Sequence, residues 1–205
     1  MGKGYNPRKE GTRKAERKVY IVCEGKTEQN YFTGLRTRNS GVEIIPVYGK
    51  CTDPKSIIDF AQEKMNNKWS IDLDEGDGVW CAFDVDENTN QALTEAKAKA
   101  KDIQIALSNP CFELWLLLHY KTILSQISRE EALQELKKFI KYYDKGKNIS
   151  PLLAEKTPIA ITNAKRLNQI HYKNKVSLIG RESNPSTQVF KLVEFIEQLS
   201  KKKKG

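Results

Sequence analysis

The sequence contains no apolar run of membrane-spanning length, and it is poor in cysteine, histidine and methionine. Hydrophobic residues make up 39% and charged residues 30% of its 205 positions, a composition typical of a soluble globular protein. The N-terminal stretch is basic and lacks the apolar segment of a signal peptide, so we expect a cytoplasmic protein that does not associate with a membrane. The length suits one well-packed domain with an appended lobe.

The few cysteines and histidines argue against a zinc site or a disulfide framework. No two cysteines form a C-x-x-C pair, and two of them lie inside apolar runs, where a reduced thiol packs as a small core residue. We interpret both histidines as structural. The residues concerned are Cys23, Cys51, Cys81, Cys111, His119 and His171.

Nucleotide-binding motifs and internal repeats are also missing. No G-x-G-x-x-G follows the first apolar run, and no G-x-x-x-x-G-K-[ST] occurs anywhere in the chain. These absences argue against a dinucleotide cofactor and against an NTP site of the P-loop kind.

The positive charge is concentrated at the two ends of the chain. The formal net charge is +9, yet residues 1–18 carry seven Lys or Arg against two Glu, and four lysines occupy 201–204. The chain between these ends is neutral, so we predict disordered basic arms around a neutral folded body. Such arms either attract nucleic-acid phosphates or act as solubilising tails, and both interpretations stay open.

Short runs of β-branched and aromatic residues alternate with helical patterns in the first half of the chain. This alternation predicts an α/β fold with a central parallel sheet of about four strands flanked by helices. Pro46 marks the second strand as an edge candidate, and the poor alternation of the fourth makes it another. The predicted strands are 19–23, 42–48, 79–83 and 103–107, and the predicted helices between them are 28–38, 54–67 and 89–100.

The second half of the chain is predicted to be mainly helical. Ser128 followed by Glu131 forms a capping box at the start of an amphipathic pattern. The predicted order is a buried helix in 111–120, an amphipathic helix in 128–143, a loop in 144–157, a helix in 158–172, a strand-like run in 175–179 and a last helix.

Six of the seven prolines follow Asn, Asp, Ser or Thr, a pattern typical of helix starts. We therefore predict helices that begin at Asp53-Pro54 and at Asn184-Pro185, because apolar residues on one helical face follow each pair. The remaining pairs are Asn6-Pro7, Asn109-Pro110, Ser150-Pro151 and Thr157-Pro158.

Acidic residues follow two of the predicted strands and reappear in the helix after the fourth. Glu24 ends the first strand, Asp84-Val85-Asp86 ends the third, and Glu113 follows the fourth. The carboxyl ends of parallel strands meet at one sheet edge, where α/β proteins bind ligands. Residues i and i+2 of an extended chain point to the same side, so Asp84 and Asp86 can share one Mg²⁺. Alternatively, this D-x-D only ends a strand and caps the next helix.

A glutamate after the first strand and a D-x-D after the third resemble the Toprim pattern of topoisomerases, bacterial primases and OLD-type nucleases. The likeness to the RloB-like family is more specific, because several stretches between about residue 17 and residue 199 resemble those that mark this family. These stretches are VYIVCEGKTEQNYFTGL, CAFDVDE, IALSNPCFELWLLLHY and NPSTQVFKLVEFI.

The resemblance implies a domain organisation. A Toprim-like Rossmannoid core is expected at 18–120, and a mainly helical extension packed on it at 121–200. A basic disordered arm at 1–17 and a lysine tail at 201–205 flank these two parts.

The resemblance also implies roles for the acidic residues. Glu24 matches the Toprim glutamate, a general acid/base or metal ligand, and Asp84 and Asp86 match the metal ligands. Glu28 and Glu113 fall in matching stretches and are candidates for a second metal or for supporting the first. A simpler interpretation of Glu28 is a first-turn residue that complements the helix dipole.

Basic and polar residues complete the candidate site. Lys26 can stabilise charge that develops on a phosphate. Asn184, Ser186 and Thr187 can hold a phosphate at a helix N-terminus, with Arg181 nearby, although capping explains the first three equally well.

The function implied is an Mg²⁺-dependent (or Mn²⁺-dependent) nuclease acting on DNA or RNA, the effector of an anti-phage defence system with an ATPase partner. The alternative is a non-catalytic Toprim-fold subunit that docks on this ATPase or on nucleic acid. A primase-like nucleotidyl transferase has less support, because no zinc-binding element is visible. No tyrosine lies in a recognisable topoisomerase motif, which favours hydrolysis by water. A homo-oligomer is compatible with the sequence.

Overall fold

The computed structural model describes residues 16–36, 41–49, 51, 53–85 and 88–201. Several residues named from the sequence lie outside the described residues. They are Asp86, Glu87, most of the predicted basic arm and the lysines after Lys201. The predictions that rest on them are therefore not addressed by the structure.

The structure confirms the α/β fold and its parallel sheet. Strands β1 (Arg17–Cys23), β2 (Val42–Tyr48), β3 (Gly78–Asp84) and β4 (Gln104–Asn109) are parallel and stand in the order β2-β1-β3-β4. β2 lies at the sheet edge, as Pro46 predicted. A fifth strand, β5 (Ser186–Thr187), pairs antiparallel with β4 at Ser108 and Asn109, so β4 is not the edge strand of the sheet that its poor alternation predicted.

Helices flank this sheet and form most of the second half of the chain. α1, α2 and α3 connect the parallel strands, as predicted, and each is within a few residues of its predicted bounds. The helices are α1 (Lys26–Leu35), α2 (Pro54–Asn67), α3 (Asn90–Lys99), α4 (Phe112–Leu117), α5 (Arg129–Phe139), α6 (Ser150–Leu153), α7 (Thr157–Lys173) and α8 (Val189–Lys201).

Two helix starts were predicted correctly from their capping residues. The Asp53 side chain accepts a hydrogen bond from Ser56 N at 2.9 Å, and Pro54 occupies the first helical position of α2. At α5, Ser128 and Glu131 form the predicted capping box, in which each side chain accepts from the backbone N–H of the other.

One predicted helix start, Asn184-Pro185, was wrong, because the last helix begins at Val189. Both Asn109-Pro110 and Asn184-Pro185 are cis, and the helices that follow begin later, at Phe112 and Val189. The reason is that both asparagine side chains bind distant backbone. The amide of Asn109 donates to the carbonyl oxygens of Gly180 and Arg181, and Asn184 exchanges two hydrogen bonds with the backbone of Ile127.

Two further predictions in the second half were wrong. The predicted loop at 144–157 contains α6 and a 3₁₀ turn at Ala154–Lys156. The strand-like run at 175–179 forms no strand, and the segment that pairs with β4 is β5.

The sheet separates two apolar layers, as alternation along β1 requires. Ile21 faces a layer that includes Trp115 of α4 and Leu192 of α8, whereas Val22 faces a layer that includes Ile57 of α2. The first layer thus unites the β-strands with helices from both sides of position 120. No helix in the described part of the chain is both long and apolar enough to span a membrane.

Candidate acidic site

The ends of β1 and β3 are joined by hydrogen bonds that involve the first two acidic residues. β1 and β3 are neighbours in the sheet. Glu24 N donates to Ala82 O at 3.0 Å, and Asp84 N donates to Glu24 Oε2 at 2.9 Å. The Glu24 side chain is therefore bound to the backbone of the strand that carries Asp84, at the edge where the sequence predicts a ligand site.

A pocket of about 270 Å³ opens at this edge. It contains five of the residues named from the sequence, namely Glu24, Lys26, Glu28, Asp84 and Glu113. Its wall is completed by Gly25, Thr27, Arg129 and Lys145. The site thus combines carboxylates from the two neighbouring strand ends and from α1 and α4 with basic side chains from three segments.

Asp84 has one paired and one unpaired carboxylate oxygen among the described residues. It is buried, and Arg129 Nη2 donates to its Oδ2 at 2.9 Å. No hydrogen-bond donor of the described residues reaches its Oδ1, although that atom is also buried. Burial first, and then the negative charges of Glu28 and Glu24, raise the pKa of Asp84 well above its ordinary value, while Arg129 opposes this shift.

Glu28 presents a second buried oxygen to the pocket. It lies in the first turn of α1 and is only 5% exposed, and its Oε2 has no hydrogen-bond donor among the described residues. A Cβ on Gly25 would lie 2.6 Å from this oxygen, so the absence of a side chain at residue 25 provides its space. Burial, together with the nearby charges of Glu24 and Glu113, raises the pKa of Glu28 to about 7.

Glu113 is buried but fully compensated. Its Oε1 lies 3.0 Å from Lys145 Nζ and accepts a hydrogen bond from the Tyr143 hydroxyl at 3.2 Å. Burial raises the pKa of Glu113, but the Lys145 ammonium outweighs it and holds that pKa below its ordinary value. Glu113 is therefore ionised at neutral pH.

The chemistry of these donors fits a hard divalent cation such as Mg²⁺. The side-chain donors are carboxylate oxygens, and two of them, Asp84 Oδ1 and Glu28 Oε2, are buried without a hydrogen bond from the described residues. The neighbouring thiols of Cys23 and Cys111 have pKa values raised by burial, so they stay neutral. Among the described residues, however, no three acidic, histidine or cysteine side chains stand close enough together to hold an ion.

Sequence reasoning missed three residues of this site, Arg129, Tyr143 and Lys145. All three come from the second half of the chain, 30 to 45 residues after the carboxylates that they contact, and no local pattern links them. One signal was present at Arg129. It opens α5, and a cation in the first turn of a helix is unfavourable unless an anion lies nearby.

The residues predicted to contact phosphate are divided between two environments. Arg181 and Asn184 line a second pocket of about 250 Å³ that also includes Ser128 and Arg129. Ser186 and Thr187 instead lie buried in β5, where Thr187 Oγ1 and Ser108 Oγ are 3.0 Å apart and Ser186 donates to Ser183. Their surroundings favour a structural role for both residues.

Both histidines have structural surroundings, as interpreted from the sequence. His119 Nδ1 lies 3.0 Å from Trp115 O inside the core, and His171 Nε2 lies 2.9 Å from Pro185 O. Neither residue lines the acidic pocket.

The fold and this pocket define an α/β protein with a mostly parallel five-stranded sheet and a cluster of carboxylates at its carboxyl edge. The sequence model of the RloB-like protein family matches residues 19–196, so the chain belongs to the RloB-like family. No curated protein and no solved structure matches it.

Proposed function

We propose that this protein is an Mg²⁺-dependent or Mn²⁺-dependent nuclease that hydrolyses phosphodiester bonds of DNA or RNA at the acidic pocket. The observation that carries the proposal is the pair of buried oxygens, Asp84 Oδ1 and Glu28 Oε2, that have no hydrogen bond from the described residues. Buried polar atoms without a partner are rare and expensive, so a site that contains two of them favours a ligand that supplies the missing interaction.

The proposed roles follow from position in the pocket. Asp84 and Glu28 would hold the cation, with Asp86 as a further ligand from the sequence pattern. A bound Mg²⁺ would polarise a phosphoryl oxygen and lower the pKa of water. Glu24 is half-buried at the pocket wall, where it can accept the proton of an attacking water. Lys26 is exposed at the rim, where its ammonium can approach a phosphate.

A second candidate function is supported by the basic side chains. Arg129 and Lys145 form ion pairs with Asp84 and Glu113, so two of the carboxylates already have counterions from the protein itself. A charge cluster of this kind is also compatible with a non-catalytic subunit that retains the fold and docks on an ATPase partner or on nucleic acid.

The biological setting that we propose rests on membership of the RloB-like family. In that setting the protein is the effector of an anti-phage defence system and works with an ATPase partner. The partner is expected to be encoded by a neighbouring gene, which also makes it the first protein to include in an assay. A homo-oligomer is compatible with the proposal.

The experiment is a cleavage assay with the purified protein, alone and with this ATPase. Labelled single-stranded and double-stranded DNA and RNA are incubated with Mg²⁺, Mn²⁺ or EDTA. We expect metal-dependent cleavage that Asp84→Asn abolishes and that Asp102→Asn, a matched change of an exposed aspartate, leaves intact. If neither metal supports cleavage of any substrate in either preparation, the nuclease proposal is wrong and the binding subunit becomes the better candidate.

A further inference from the structure

Arg129 belongs to the walls of two pockets at once. It lines the acidic pocket with Asp84 and the neighbouring pocket with Arg181 and Asn184. Its guanidinium donates to Asp84 Oδ2, and its side chain is still 35% exposed. Among the residues that the structure describes, Arg181 is the only other arginine that lines either pocket, so Arg129 connects it with the carboxylate cluster.

The backbone of Arg129 is fixed, whereas its side chain is not enclosed. The residue opens α5 directly after the capping box of Ser128 and Glu131. Just before it, Ile127 N donates to Asn184 Oδ1 at 3.0 Å, and Asn184 Nδ2 donates to Ile127 O at 2.9 Å. Exchange of Asp84 for another anion thus requires rotation of a long side chain and leaves α5 in place.

Asp84, one partner of Arg129, is also the residue that would bind the cation. Asp84 has one oxygen on Arg129 and one without a hydrogen-bond donor among the described residues. A divalent cation on Asp84 neutralises the carboxylate and weakens its attraction for the guanidinium, since both cations compete for the same charge. An arginine released in this way is suited to a phosphate, which it binds through two parallel hydrogen bonds.

We propose that Arg129 is the phosphate-binding residue of the site, and that it exchanges Asp84 for a phosphate of the nucleic-acid backbone when a divalent cation occupies Asp84. This inference rests on the proposed function and adds a residue to it. Arg181, across the neighbouring pocket, would contact the adjoining phosphate. The basic side chain thus substitutes for the cation while the site is empty and binds the substrate once the cation is bound.

The exchange predicts effects of opposite sign on two ligands. Removal of the guanidinium takes away a competitor for Asp84, so cation binding should become tighter. The same change removes a phosphate contact, so nucleic-acid binding should become weaker. A purely structural Arg129 would not produce opposite effects, because loss of structure weakens both.

The test measures binding without cleavage, at pH 8, on the intact chain. Fluorescein-labelled 20-mers of single-stranded DNA and RNA are titrated in EDTA by fluorescence anisotropy, and Mn²⁺ is titrated separately by electron paramagnetic resonance. The variants are Asp84→Asn, Arg129→Gln and the double variant. Arg166→Gln is the matched control, because Arg166 is exposed on α7 and lines neither pocket.

We expect Asp84→Asn to bind an oligonucleotide about tenfold more tightly than the wild type in EDTA, because it removes the carboxylate that competes with phosphate for Arg129. The double variant should lose this gain. Arg129→Gln should bind Mn²⁺ severalfold more tightly than the wild type, and Arg166→Gln should change neither Mn²⁺ binding nor the effect of Asp84→Asn.

The proposal is overturned if the double variant keeps the full gain, since the effect would then be one of net charge alone. It is also overturned if Arg129→Gln weakens Mn²⁺ binding or if neither oligonucleotide binds. Should Arg129→Gln fail to fold, Arg129→Lys replaces it. If Asp84→Asn then tightens oligonucleotide binding as much with lysine at residue 129 as with arginine, a bidentate contact is contradicted. None of these measurements needs cleavage. A protein that binds as expected but cleaves no substrate would therefore contradict the nuclease proposal and leave the proposed role of Arg129 intact.

Discussion

The Glu24 side chain accepts a hydrogen bond of 2.9 Å from the backbone N–H of Asp84. One acidic residue of the site therefore sets the position of the next through the main chain of β3. Glu24 has two separable properties, namely an oxygen that accepts this bond and a negative charge that faces the pocket. Substitutions can remove the charge alone or both properties together.

We expect Glu24→Gln to leave the free energy of unfolding within about 0.5 kcal/mol of the wild type, because the amide oxygen can still accept from Asp84 N. Glu24→Ala should cost about 1–3 kcal/mol, since that buried N–H loses its acceptor. Both variants should lose metal-dependent cleavage. Urea unfolding followed by circular dichroism measures the change in the free energy of unfolding of both variants. Equal stability of the two variants would show that the hydrogen bond does not support the site.

Glu28 should make the protein less stable as the pH rises. Its pKa is raised from about 4.5 to about 7 in the folded state. Below pH 4.5 Glu28 is protonated in both the folded and the unfolded state. Between pH 4.5 and pH 7 it ionises only in the unfolded state, so the stability of the folded protein falls through this range and levels off above pH 7. The loss is up to about 3 kcal/mol, at roughly 1.4 kcal/mol per pKa unit.

This pH dependence is measured by urea unfolding from pH 4.5 to 8.5 in EDTA. Glu28→Gln should show a smaller loss over that range, whereas Glu155→Gln, a change of an exposed glutamate, should follow the wild type. Added Mg²⁺ should restore stability to the wild type at pH 8, because a bound cation favours the ionised carboxylate. A wild type that is equally stable at pH 5 and pH 8 without metal contradicts the assignment.

The ion pair between Lys145 and Glu113 should stabilise the folded protein, and more so at pH 8 than at pH 4. Lys145→Gln leaves a buried carboxylate without its counterion, at an expected cost of about 1–2 kcal/mol, below the value for a fully buried pair because Lys145 is half-exposed. Lys147→Gln is the matched control, as Lys147 is exposed and lines neither pocket. In thermal unfolding, the double variant Lys145→Gln/Glu113→Gln should recover part of the stability that Lys145→Gln alone loses. If the double variant recovers no stability, the ion pair does not stabilise the folded protein.

The fold was predictable from sequence wherever a local pattern decided it. The β-branched runs and the helices between them follow from periodicity, and the caps at Asp53 and Ser128 follow from side chains that bind backbone three residues away. The acidic residues Glu24 and Asp84 were found because they directly follow strands of a parallel sheet. In each case the interacting groups are close in sequence, or one topological rule relates them.

The missed features depend on contacts between distant residues. Asn184-Pro185 has the sequence of a helix start, but its asparagine binds Ile127, which lies 57 residues earlier. Arg129 is 45 residues from Asp84, and Lys145 is 32 from Glu113. The place of Arg129 at a helix start indicates that an anion lies nearby, but no local signal in a single sequence identifies the partner in such pairs.

The pair of hydrogen bonds between Asn184 and Ile127 leads to a last prediction, which separates a structural from a phosphate-binding asparagine. Asn184→Ala removes both bonds from a partly buried contact and should cost about 1–3 kcal/mol of unfolding free energy. It should also loosen the start of α5 and so weaken the hold of Arg129 on Asp84. Asn174→Ala, at an exposed helix end, is the control. If Asn184→Ala retains full stability but binds oligonucleotides less tightly, the asparagine contacts phosphate directly and the structural interpretation is wrong.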